Sequence, residues 1–211
     1  MKGIRIKIGA ALLGLAFVAG CAVNMLPTKD EWFALHYFIM QDFEKTLYRD
    51  LAPEGREKFQ AMFCEARTAE ARQEFLKRLE YVNKVHKNEN PLQPWNTDRS
   101  RVYLLNGPPA YISEVKGFDA NDYRGGNPNE KFSVVSRSGE DITSMTAVVW
   151  QYQHKDQPVR YTFAHSSPRE YKLLIIGQFE KEFEIYNKNA FYRIIDQAKY
   201  AAELQSLKKL K

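Results

Sequence analysis

Apolar residues recur at helical spacing through the first part of the chain and alternate through much of the rest. Trp32, Leu35, Ile39, Phe43 and Leu47 share one helical face and predict a first helix. Thr28 and Glu31 stand at capping-box spacing ahead of it, with Pro27 just before. Pro53-Glu54-Gly55 interrupts that pattern, and a second helix follows with Phe59, Met62, Phe63 and Ala66 on one side. The third runs from about Ala69 to Lys87, with Phe75, Leu76, Leu79, Val82 and Val85 inward and charges outward. Asn88-Glu89-Asn90-Pro91 ends it. The period then switches. Arg101–Leu105, Ala110–Val115, Lys131–Arg137, Thr146–Gln153, Val159–Ala164 and Tyr171–Ile176 read as strands, and a loop rich in Gly, Asn and Asp covers 117–130. From about Asn189 helical spacing returns through Phe191, Ile194, Ile195, Ala198, Ala202 and Leu204. The order predicts an α+β fold: N-terminal helices on a mainly antiparallel sheet, closed by a C-terminal helix.

The two patterns meet between Pro94 and Pro109. Trp95 is a large apolar anchor for this joint, and Thr97-Asp98 can satisfy loose backbone N–H groups before the expected strand. Arg99 and Arg101 can pair with Asp98 or with glutamates of the preceding helix. Val102 and Leu104 fall on one face, Tyr103 and Leu105 on the other, and Gly107-Pro108-Pro109 is a turn that stops the segment.

Charge redirects attention to the N-terminus. The formal net charge is +5, but Lys2, Arg5 and Lys7 lie in residues 1–20 with no acids. The remainder holds 28 basic against 26 acidic side chains, and Lys208, Lys209 and Lys211 are at the C-terminal end. A body so near neutrality lacks the basic face a nucleic-acid partner requires. The three cations precede a short apolar run, Ile8 to Val18, as in a secretory signal. Val18-Ala19-Gly20-Cys21 resembles a bacterial lipobox, which implies that 1–20 is removed and that Cys21 is lipidated and becomes the first mature residue. Ala22, rather than Asp, after that cysteine favours the outer membrane by resemblance to bacterial lipoprotein sorting. Residues 21–27 then form a tether, and 28–211 form one domain: helical from 28 to 90, sheet from 94 to 176, helix from 187 to 211. With Cys21 acylated, Cys64 is left alone and no intrachain disulfide is possible.

The joint carries a second resemblance. Trp95, Thr97, Asp98, Arg99, Arg101, Val102, Tyr103, Gly107, Pro108 and Pro109 stand where the GWxTD-domain proteins of bacteria place them. Glu74-Phe75 and Arg78–Asn83 are similar to the family's preceding helix, and Val149-Trp150-Gln151-Tyr152 to its Trp-x-Tyr strand. The likeness covers about 30–175. It departs at Pro94, where the naming glycine would be, and at Cys64, where the family places the tryptophan of a Phe-Trp pair. It implies a fold and a lipoprotein habit, and it brings no catalytic residues.

Little else points to chemistry. His36, His86, His154 and His165 have no metal-ligand spacing, and no phosphate loop or cofactor fingerprint is present. His165-Ser166-Ser167 lacks a nucleophile elbow and reads as a turn before Pro168. Cys64, mid-helix beside Phe63, reads as a small buried hydrophobe. Three functions are consistent with these residues. In rank order they are a non-enzymatic scaffold on the bilayer holding an envelope protein partner, a small-ligand or glycan binder using the sheet face and 117–130, and an enzyme centred on Asp98, Arg99 and Arg101. For the first, Tyr111, Phe118, Tyr123 and Trp150 are candidate contact anchors, as is the Leu204–Lys211 end.

Overall fold

A computed structural model of the chain describes residues 30–119, 144–167, 170–175 and 178–210. Residues 1–20, Cys21, the tether, Thr28, most of the 117–130 loop with Tyr123, and the expected strand Lys131–Arg137 lie outside them. Asp30 caps the first helix, accepting from Phe33 N at 2.9 Å. The first predicted helix is two: α1 (Glu31–His36) and α2 (Asp42–Asp50). The chain turns between them because Ile39 and Met40, exposed on neither face, sink into the core at 2% and 0% exposure. Glu44 then closes the new start by accepting from Gln41 N at 2.7 Å. This bend turns Phe43 outward, against expectation. Helices α3 (Pro53–Glu65) and α4 (Ala69–Val85) follow as their patterns predict, α3 opening on Pro53 and α4 capped by Thr68. On α4, Phe75 and Val82 are buried but Leu76 and Val85 are exposed, so its inward stripe is narrower than expected.

The joint corrects the sequence reading. Asp98–Asn106 is a helix, α5, and not a strand. It packs against α4 and two later elements, the strand β4 (Glu170–Ile175) and the helix α6 (Gln178–Phe191). Val102, Tyr103, Leu104 and Leu105 are therefore all buried. A short helix covered on several sides is apolar all round, and in five residues that is indistinguishable from alternation.

The four described strands, β1 (Tyr111–Asp119), β2 (Ser144–His154), β3 (Gln157–Ser167) and β4, form an antiparallel meander in chain order. Trp150, Tyr152 and His154 on β2 share a face with their β3 partners Tyr161, Val159 and Gln157. Trp150 and Tyr152 meet the helices there, through ring contacts with Tyr103 and Phe183. The C-terminal helix also differs from expectation. It starts as α6 at Gln178, breaks after Phe191, and resumes as α7 (Gln197–Leu207), with a short 3-10 turn to Leu210. At the break Tyr192 and Ile194 are buried and Ile195 N donates to Ala66 O at 2.9 Å, which pins it to the end of α3. Leu204 and Leu207 are buried too, so α7 is docked in the core and not a free end.

Candidate functional site

The Pro94–Pro109 stretch is positioned by two well-made helix ends. Thr97 caps α5: its Oγ1 accepts from Ser100 N at 3.2 Å and donates to Ser100 Oγ at 2.9 Å. Asp98, in the first turn where an acid suits the helix dipole, accepts from Leu173 N of β4 at 2.9 Å. Arg99 donates through Nε to Glu89 Oε1 at 3.0 Å, and its guanidinium lies 3.7 Å from the Tyr171 ring centroid. Glu89 is buried, and burial raises its carboxyl above the usual carboxylate range, with Arg99 opposing. Arg101 is exposed and donates to Asn96 Oδ1 at 2.6 Å. Trp95 packs on the edge of the core, and Tyr103 stacks on Tyr81 at 4.3 Å.

At the other end, carbonyls that the helix leaves without partners are taken up by three side chains. Arg78 donates to Leu104 O and Leu105 O at 3.1 and 2.9 Å, Tyr192 to Leu104 O at 2.7 Å, and Tyr152 to Gly107 O at 3.0 Å. Gly107 stops the helix at φ +78°, and a Cβ there would sit 3.0 Å from Arg78 Nη2. Pro108 is exposed and Pro109 half-buried beyond it. The enzyme reading expects Asp98, Arg99 and Arg101 to point into an open cleft together. They do not: Asp98 and Arg99 bind the chain itself, and Arg101 faces solvent.

Sequence reasoning missed a serine–histidine contact at this joint. His86 Nδ1 lies 2.7 Å from Ser100 Oγ, the separation of a nucleophile and its base. Ser100, however, is fully buried and His86 is 2% exposed. The serine proton goes to Pro94 O at 2.6 Å, so the hydroxyl oxygen accepts from His86 Nδ1. The proton runs the wrong way for activating Ser100. Burial, with Arg99 nearby, lowers the His86 pKa to about 4 and keeps the ring neutral. The pair is a packing device that ties the end of α4 to the start of α5. Spacing gave no sign of it, because residues 86 and 100 meet only through the turn between the helices.

Where the joint does reach a cavity is past its C-terminal end. Asn106 and Pro108 form one wall of a cleft of about 580 Å³, with the β2–β3 turn and α6 forming the others. Tyr186, half exposed, presents its ring there, and Asn187 Nδ2 donates to Asn106 Oδ1 at 2.9 Å. His154 is 9% exposed, with its ring against those of Phe179, Phe183 and Tyr186. No described residue hydrogen-bonds that ring.

The remaining expected residues are placed as follows. Tyr111 is exposed on β1, Trp150 is buried in the core, and nothing is described of the Phe118 side chain. Cys64 is half-buried near the end of α3, and burial raises its thiol pKa, the opposite of an activated nucleophile. Ser167 is the last residue of β3, so the strand runs through the segment read as a turn. Among the described residues no cluster of His, Cys, Asp and Glu is suited to a metal, and no helix is long and apolar enough to cross a membrane. Compared with family models, curated proteins and solved structures, the chain matches none.

Proposed function

We propose that this chain is a lipid-anchored protein of the bacterial cell envelope, facing the periplasm, that works as a non-enzymatic interaction module for an envelope protein partner. The observation that carries the non-enzymatic part is the inward engagement of Asp98, Arg99 and Ser100 with Leu173, Glu89 and Pro94. Groups held this way stabilise a joint and are not presented to a substrate. The anchor rests on Lys2, Arg5, Lys7 and the Val18–Cys21 tetrapeptide, and on the resemblance to GWxTD-domain lipoproteins. Acyl chains on Cys21 would hold the domain at the bilayer, with the outer membrane favoured.

The test is expression of the wild type and of Cys21→Ser in bacteria, with palmitate labelling, membrane fractionation and in-cell crosslinking. The expected result is a labelled, membrane-bound wild type that captures one abundant envelope protein, and an unlabelled variant that leaves the membrane. A wild type without label overturns the anchor, and a labelled protein that captures nothing overturns the scaffold role. The alternative, a small-ligand or glycan-binding domain, is supported by the cleft beside Tyr186, although that cleft is not the sheet face and loop first expected to serve it.

A further inference from the structure

We propose that the cleft between the Asn106–Pro108 turn, the β2–β3 hairpin and α6 binds an acidic sugar, a hydroxylated ring carrying one carboxylate or phosphate. The inference rests on the ligand-binding alternative and is independent of the anchor. At about 580 Å³ the cleft suits a small molecule. Its chemistry has three parts. Tyr186, 53% exposed, offers an aromatic face to the apolar C–H side of a pyranose. The Asn187 amide, held against Asn106 Oδ1 at one wall, and the exposed Gln153 amide offer donors and acceptors for ring hydroxyls. Lys155 is the one lining residue with a fixed charge, and no carboxylate lines the cleft to neutralise it.

Two further features bear on a ligand. The His154 imidazole lines the cleft, and its ring nitrogens, which no described residue hydrogen-bonds, are not shut away from solvent and so can meet a ligand hydroxyl. The backbone of the hairpin turn is also costly. Lys155 and Asp156 both have positive φ, +46° and +62°, in a two-residue turn where Asn and Gly are the favoured choices. Such strain is characteristic of positions whose side chain is needed in place. Here that side chain is Lys155, the cation among the residues that line the cleft.

The strain supplies a test that misfolding cannot imitate. Lys155→Asn should relax the turn and raise the melting temperature while removing the cation. The full chain, in detergent micelles, is titrated with glucuronate, glucose 6-phosphate and neutral glucose, followed by saturation-transfer NMR and calorimetry. Glucuronate and glucose 6-phosphate should bind about tenfold more tightly than glucose, a charge-assisted contact being worth that much. In Lys155→Asn this margin should vanish with the fold intact, and Tyr186→Ala should weaken all three. If glucose binds as tightly as the acidic probes, or Lys155→Asn leaves the margin unchanged, the acidic-sugar assignment is overturned while ligand binding stands. If no probe saturates, both are overturned.

Discussion

At the scale of single residues, Gly107 shows how one backbone angle holds several elements in place. Its positive φ ends α5 and lets the Arg78 guanidinium lie against the chain where a side chain would otherwise project. Arg78 also donates through Nε to Glu74 Oε1 at 3.0 Å and its guanidinium lies 4.4 Å from the Phe191 ring centroid, so it couples α4, α5 and α6. Gly107→Ala forces an unfavourable φ and pushes Arg78 off the Leu104 and Leu105 carbonyls at once. The expected loss is about 2–4 kcal/mol in urea unfolding, from backbone strain plus the Leu105 carbonyl left without Arg78, Leu104 O keeping its Tyr192 donor. A loss below about 0.5 kcal/mol, the range of an ordinary surface change, would show that the contact is unimportant. A glycine ahead of two prolines was legible as a turn. That the turn seats an arginine from residue 78 was not, because nothing local links the two positions.

At the scale of elements, α5 is the instructive case. Its signals were in the chain: Thr97 as cap, Asp98 in the first turn, Gly107 at the stop. The apolar run between them outweighed these signals, since burial on all sides erases the one-faced pattern that marks a helix. The opposite failure made α1 and α2 look continuous, because their apolar spacing persists across a bend that Ile39 and Met40 impose. What holds α2, α3 and α7 together is a buried polar cluster. Glu44, fully buried, receives Arg67 at 3.0 and 3.1 Å and the Tyr200 hydroxyl at 2.7 Å. Arg67 also donates to Phe63 O at 2.8 Å, and its guanidinium lies over the Phe63 ring at 3.4 Å. Glu44→Ala strands the Arg67 charge and should cost about 3–5 kcal/mol, whereas Tyr200→Phe removes one hydrogen bond and should cost about 1–2 kcal/mol. Chemical denaturation of both variants checks this; equal losses would mean that Arg67 finds other compensation.

At the scale of the whole molecule, the buried histidines make stability depend on pH. Burial is the main cause that lowers His36 to about 4, with Arg67 adding to it and the Trp32 carbonyl opposing; His86 falls to the same value. Above the ordinary histidine value both residues are neutral folded or unfolded, and their contribution is complete. As pH falls from 6.5 toward 4 the unfolded chain takes up protons that the folded chain refuses, so stability is lost across that window. Burial raises Glu89 and Glu184, which works in the opposite sense: the folded chain takes up those protons first, and stability is regained as pH falls through their folded values. With two strongly lowered imidazoles, the histidines should dominate. The unfolding free energy from urea titration should be lower at about pH 5 than at about pH 7 by an amount on the order of a few kcal/mol; equal values would refute the assignment.

The sequence by itself determined what depends on neighbours in the chain. Helical and alternating periods set the class and most element positions, prolines and caps set several ends, and the basic apolar leader with its cysteine set the anchor expectation. Tertiary structure decided what depends on residues far apart. It made Arg101–Leu105 a helix and buried every one of these residues but Arg101. It brought His86 to Ser100 and Asp98 to Leu173, which turned these polar groups of the joint into internal partners, and far from the joint it brought Tyr200 to Glu44. It also built a cleft from Asn106, Lys155 and Tyr186, which no window along the chain contains together. The physical reason is the same throughout. Periodicity records which face of a segment is apolar, while burial, pairing and cavities depend on what the rest of the chain sets against that face.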